Sequence, residues 1–301
     1  MTTSEAQALI RSLRENRPPL DATFEQMRAG SDARGDGPLA EGVSVTAGSA
    51  GPIPGEWHDA SAGSGAPVVL YFHGGGYVVG SPISHRPMGS RIARAAQARL
   101  FMADYRLAPE HPFPAAADDG FAAYRALLDA GIDSSRLAVG GGSAGGGLAL
   151  AALVEAHEAA LPMPAACFLI SPWADLTLTT PTLDRNEASD PTAFRARLQP
   201  MADCYLNGAD PRHPRASPLF ANFTGLPPLL IQVGSIETLL GDSETLHARA
   251  EAARVDSTLE VWPDMVHVWH HYADHLTEAD AAAERIGEFL STHWRAQAAA
   301  T

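Results

Sequence analysis

The sequence contains no lysine; all 21 basic residues are arginine. Schiff-base chemistry, Ser–Lys dyads and the phosphate-binding lysine of a P-loop are thereby excluded. A hydroxyl nucleophile in this chain needs another base, and histidine is the usual one. Cysteine is nearly absent. Cys167 falls in a strand-like run and Cys204 in a helix-like stretch, which makes no disulfide framework and fits a reducing, cytoplasmic setting. No apolar run of about 18 residues exists and no charged–apolar–small leader is read, so stable membrane insertion is not expected. Positive charge is outnumbered: 35 acidic residues leave a net charge of −14. That balance argues against nucleic acid or an anionic membrane as partner.

The 301 residues, 46% hydrophobic, suffice for one large α/β domain with an insertion. Residues 4–29 read as a helical segment broken by Pro18-Pro19, and residues 42–60 as two strands. From residue 66 strands and helices alternate: strand 67–72, helix about 84–97, strand 99–104, helix 114–130, strand 136–142, helix 144–159 and strand 165–171. That rhythm predicts a mostly parallel sheet with helices on both faces. Residues 175–225 break it with repeated prolines and one helical piece around 192–206. An insertion there lies over the carboxyl edge of the sheet, where open α/β sheets bind ligands.

Three motifs carry chemistry. Gly141-Gly142-Ser143-Ala144-Gly145 sits between an apolar strand and an Ala/Leu-rich helix, the context of a G-x-S-x-G nucleophile elbow. His73-Gly74-Gly75-Gly76-Tyr77 leaves a buried-looking strand with bare backbone amides. The N–H groups of Gly74, Gly75 and Ala144 are candidates for an oxyanion hole. The pattern lacks the G-x-G-x-x-G order of a dinucleotide site. His73 is read as structural support for the glycine loop. His267 follows the last predicted strand, where a catalytic histidine would stand. His270, His271 and His275 compete with it, but read as surface residues of the following helix. His271 and His275 at i, i+4 have neither an H-E-x-x-H pattern nor a third ligand, so no metal is expected.

Two acids compete for the third place, Glu237 just past the strand 229–234 and Asp242 further along the next helix. Position favours Glu237, with the chain order Ser, acid, His of α/β-hydrolases. Asp118-Asp119 reads as helix N-terminal charge or as a partner for Arg106.

With the run Asp104-Tyr105-Arg106-Leu107-Ala108-Pro109-Glu110-His111-Pro112 and with Ser171-Pro172-Trp173, these motifs resemble the hormone-sensitive lipase family of α/β-hydrolases, the bacterial family IV carboxylesterases. The resemblance spans roughly residues 40–295. It implies an eight-stranded α/β-hydrolase core (42–174 and 226–301), with a cap built from residues 1–41 and the insertion 175–225. It implies a Ser143–His267–Glu237 triad acting through an acyl-enzyme without a cofactor, on short-chain esters, and a possible homodimer through the last strand and the helix about 277–296. Tyr77, Trp173, Leu176, Phe194, Leu198, Met201 and Tyr205 are candidate pocket residues. No charged residue is assigned there, so neutral substrates are expected. A lactone hydrolase or amidase would use the same machinery. A ligand receptor on the scaffold would normally lose the base, which is present here. Two departures stand out: Gly142 where the family commonly has Asp, and Glu237 where it commonly has Asp.

Overall fold

A computed structural model describes residues 4–61, 63 and 65–300, without the side chains of 295–300; residues 1–3, 62, 64 and 301, which the expected domain spans include, lie outside it. Two helices open the chain, α1 (Ser4–Glu15) and α2 (Phe24–Asp32). Pro18 and Pro19 fall between them, because proline removes a helical N–H and clashes with the preceding turn. Thr23 then starts α2 with a capping box to Gln26. A hairpin follows, β1 (Ser44–Ala50) and β2 (Ile53–Asp59), and then the alternating stretch begins. It runs β3 (Val68–Phe72), α3 (Arg86–Ala96), β4 (Arg99–Ala103), α4 (Ala115–Asp129), β5 (Leu137–Gly142), α5 (Ala144–Glu158) and β6 (Ala166–Ile170).

The segment 175–225 carries α6 (Pro181–Arg185) and α7 (Arg195–Leu206). Only the second was expected; α6 is a five-residue piece too short for periodicity to reveal. The chain closes with β7 (Leu229–Gly234), α8 (Leu240–Ala252), β8 (Ser257–Trp262) and α9 (Thr277–Ala300).

Among the described residues eight strands form one sheet in the order β1-β2-β4-β3-β5-β6-β7-β8. The pairs β1/β2 and β2/β4 are antiparallel and all others parallel. The central strands are buried on both faces, which explains why β3 reads Val-Val-Leu-Tyr-Phe without alternation. One face is covered by α3 and α9, through Ile92, Ile286 and Leu290. The other is covered by α4, α5 and α8, through Tyr124, Leu148, Leu153 and Leu246. Each such buried aliphatic side chain contributes roughly 1.5–3 kcal/mol. Register then fixes the functional loops. Phe72 pairs with Gly141 and Gly234 with Trp262, so the loops after β3, β5, β7 and β8 leave one edge together.

Candidate active site

Ser143 joins β5 to α5 with φ 55° and ψ −123°, a strained conformation for a side chain-bearing residue. Its neighbours hold it there. Its N–H donates to Ile170 O at 2.9 Å, and its carbonyl accepts from Trp173 N–H at 2.9 Å. The turn requires glycine at 145, where a Cβ would run into the Phe72 carbonyl. The hydroxyl is thus held off the sheet edge as the loops from β7 and β8 arrive.

His267 comes from the loop after β8. Its Nε2 lies 2.9 Å from Ser143 Oγ, and its Nδ1 lies 2.8 Å from Glu237 Oε2. Glu237 is fully buried, three residues past β7, with Oε1 accepting from Ser171 Oγ at 2.8 Å and from the Gly234 N–H. Burial alone would push the His267 imidazole down, but the hydrogen bond and charge of Glu237 hold it above its ordinary value. Three distant stretches of chain therefore place hydroxyl, imidazole and carboxylate in series.

The other acid is elsewhere. Asp242 is buried on α8, where its Oδ2 accepts the N–H groups of Ala174 and Asp175, each at 3.0 Å. Burial pushes its carboxyl up to about 7. It fastens the loop after β6 and does not reach His267. Asp119 pairs with Arg106 at 2.7 Å, and Asp118 pairs with Arg215.

The histidines beyond 267 differ from expectation. No α-helix follows directly: Trp269–Tyr272 is a single 3₁₀ turn, and α9 starts at Thr277. His270 is buried against Gln232, its Nε2 2.8 Å from Oε1. His271 is half-buried, edge-on to His85 at 4.5 Å. His275 alone is exposed. Among the described residues no group of three or more His, Cys, Asp or Glu side chains is placed to share a metal ion.

The glycine loop faces Ser143. Gly75, at φ +124°, needs to be glycine, because a Cβ would strike the Val79 carbonyl. Of the three expected oxyanion donors, Gly74 differs: its N–H is already donated to His85 Nε2 at 3.1 Å. Burial holds the His85 ring well below its ordinary value, so it stays neutral and can accept that bond. The amides of Gly75 and Ala144 have no acceptor among the described residues. His73 is buried, with Nδ1 2.9 Å from Gly74 O and its ring stacked on Tyr105 at 4.3 Å.

A cavity of about 170 Å³ opens on Ser143 and His267. Of the candidate pocket side chains, Leu198 and Met201 of α7 line it. Tyr77, Trp173, Leu176, Phe194 and Tyr205 do not. Tyr77 and Tyr205 stack face to face at 3.9 Å, so each ring is spent on the other. Trp173 is buried with its N–H on Asp175 O, Leu176 is core, and Phe194 lies beneath the Arg17 guanidinium at 4.2 Å. The expectation of an uncharged pocket also fails, because Arg34 and Arg197 line the cavity. Neither was visible as a pocket residue: Arg34 comes from the N-terminal segment, and Arg197 follows Phe194 in a helix with no strong amphipathic pattern.

A family description of the α/β hydrolase fold matches residues 69–271. An acetyl-hydrolase from Streptomyces hygroscopicus is 48% identical over 224 residues, covering 74% of this chain and 75% of that protein. An esterase from Acinetobacter venetianus is 36% identical over 230 residues, covering 76% of each. Among solved structures, EstE5 soaked with p-nitrophenyl butyrate aligns with a TM-score of 0.93 at 46% identity, covering 98% of this chain and 100% of that one. An esterase from the bacterial hormone-sensitive lipase family aligns at 0.92 with 46% identity, covering 98% and 99%. With the sheet order, the elbow at Ser143 and these likenesses together, the chain belongs to the α/β hydrolases, in their hormone-sensitive lipase family of bacterial carboxylesterases.

Proposed function

We propose that this protein hydrolyses short-chain carboxylic esters through a Ser143–His267–Glu237 triad and an acyl-enzyme. The observation that carries the reading is the unbroken series of contacts, Ser143 Oγ to His267 Nε2 at 2.9 Å and His267 Nδ1 to Glu237 Oε2 at 2.8 Å. In this reading His267 takes the Ser143 proton as the oxygen attacks the ester carbonyl. Glu237 fixes the tautomer with the proton on Nδ1 and stabilises the imidazolium that forms. The open amides of Gly75 and Ala144 receive the oxyanion. His267 then gives its proton to the departing alcohol, and later activates the water that releases the acid.

Short chains are favoured by the cavity, whose 170 Å³ is below the roughly 300–1,000 Å³ usual for drug-sized ligands. Leu198 and Met201 set its wall. The segment 175–225, which supplies that wall, and the N-terminal helices act as the cap in this reading. The name of one relative, an acetyl-hydrolase, agrees with a small acyl group.

The test is a pre-steady-state assay with an activated acetyl or butyryl ester. The wild type gives a burst of alcohol ahead of steady turnover, and Ser143→Ala loses the burst and about 10⁴-fold or more of the rate. Near-normal turnover in Ser143→Ala would overturn the proposal.

A further inference from the structure

We infer that the ester held in this cavity carries a carboxylate or another anionic group, bound by the guanidinium groups of Arg34 and Arg197. The inference rests on the hydrolase reading above and narrows it to a substrate class.

Arg34 and Arg197 line the same cavity as Ser143 and His267, and among the described residues no acidic side chain lines it. The chain has a net charge of −14, and several arginines elsewhere are paired with acids, Arg28 with Glu110, Arg86 with Glu56 and Arg106 with Asp119. Among the described residues these two arginines are in no ion pair. Arg34 donates to Ser31 Oγ at 2.6 Å. Arg197 donates to the carbonyls of Pro18 and Pro19. Those acceptors are neutral, so both charges stand uncompensated.

Glu237 is bonded to His267, and the acids next nearest the cavity have partners of their own. The nearby acids are turned away: Asp32 accepts from Ser81, while Asp190 is buried on the N–H groups of Thr192, Ala193 and Thr238. Arg17 stands over Phe194, three residues before Arg197, and its charge opposes that of Arg197. His85 and His271 are held neutral by burial first, and the Arg34 charge adds to the effect on both. Arg34 and Arg197 both line this cavity, and a guanidinium group suits a carboxylate, which accepts charge-assisted hydrogen bonds. Two arginine charges at its wall also draw anionic ligands toward the cavity.

The test compares kcat/KM for esters matched in length but not in charge. One arm puts the charge on the acyl side, monomethyl succinate against methyl valerate. The other puts it on the alcohol side, acetoxyacetate against propyl acetate. In at least one arm the ratio of anionic to neutral kcat/KM falls about tenfold or more in the R34Q/R197Q double variant, the loss of one charge-assisted bond. The R34K/R197K variant, which keeps the charge but not the planar fork, retains part of that ratio, more than the glutamine variant, even where loss of the Pro18 and Pro19 contacts loosens the N-terminal segment. For the wild type the anionic ester also loses rate as salt is raised, because screening weakens the attraction. A ratio unmoved by glutamine in both arms overturns the inference, as does equal loss with lysine and glutamine. If the wild type cleaves neither ester of either pair, the hydrolase reading itself has failed instead.

Discussion

Ser171 Oγ donates to Glu237 Oε1 at 2.8 Å and accepts the N–H of Val268 at 3.1 Å. One hydroxyl thus ties the buried carboxylate to the residue next to His267. Ser171 leaves β6 at φ 46° with its own N–H on Gln232 O. Ser171→Ala strands the buried Val268 amide and leaves Glu237 Oε1 with the Gly234 N–H alone. We expect a stability loss of about 1–3 kcal/mol, read by urea unfolding. We also expect kcat to fall about tenfold to a hundredfold with KM little changed, because the triad is displaced rather than deleted. An unchanged kcat would show that Ser171 positions nothing.

The pH–rate profile follows from the base. In the proposed mechanism neutral His267 is the working form, and Glu237 holds its proton affinity above the ordinary value of 6.5. The kcat/KM therefore falls as pH drops through that raised value, with its half-maximal point above 6.5. Glu237→Gln removes the opposing charge and leaves burial, so the point moves down in pH and the remaining rate is about 10⁴-fold lower. A half-maximal point that stays put in Glu237→Gln would place the charge effect elsewhere.

Stability has its own pH dependence. Burial pushes His58 and His73 each down to about 4, and neither is exposed. The unfolded chain takes up protons near 6.5 while the folded chain refuses them, so stability is intact above that pH. It declines on acidification from 6.5 toward about 4, by on the order of a few kcal/mol. Urea midpoints at pH 7, 6 and 5 check this, and a flat series would contradict it.

Gly75→Ala tests the loop. Its φ of +124° and the Val79 carbonyl leave no room for a Cβ. The chain must move the amide we assign to the oxyanion, so kcat falls on the order of 10²–10³-fold. Native-like turnover in this variant would remove Gly75 from the hole.

Tyr71 carries a buried hydroxyl with no hydrogen-bond partner among the described residues. It lies beside Gly142, where a Cβ would come within 3.0 Å of it. The family's usual aspartate is missing at that point, and the hydroxyl is left over. Tyr71→Phe should therefore be neutral or stabilising by up to about 1 kcal/mol. A melting temperature several degrees lower would mean that the hydroxyl is satisfied after all.

The core was legible because its signals are local. An apolar strand, a glycine turn and an alanine-rich helix follow one another around Ser143, and the same logic located His267 past β8. Burial of polar groups was not legible. His270 looked like a surface residue because its partner, Gln232, lies 38 positions away on another strand. The aromatic pocket expectations failed for a related reason. Residue type could not say whether Tyr77 and Tyr205 face a cavity or each other, and they face each other. Arg34 reaches the site from a segment with no periodicity to announce it.

That stack of Tyr77 on Tyr205 has a mechanical effect. Tyr77 directly follows the glycine turn and Tyr205 belongs to α7, whose Leu198 and Met201 face Ser143. Pushing the helix outward to admit a longer acyl tail would drag the turn, and the amide of Gly75 with it. On the proposed reading the wall would then serve as a fixed gauge rather than a hinged gate, with an oversized guest refused by misalignment of the chemistry as well as by want of space.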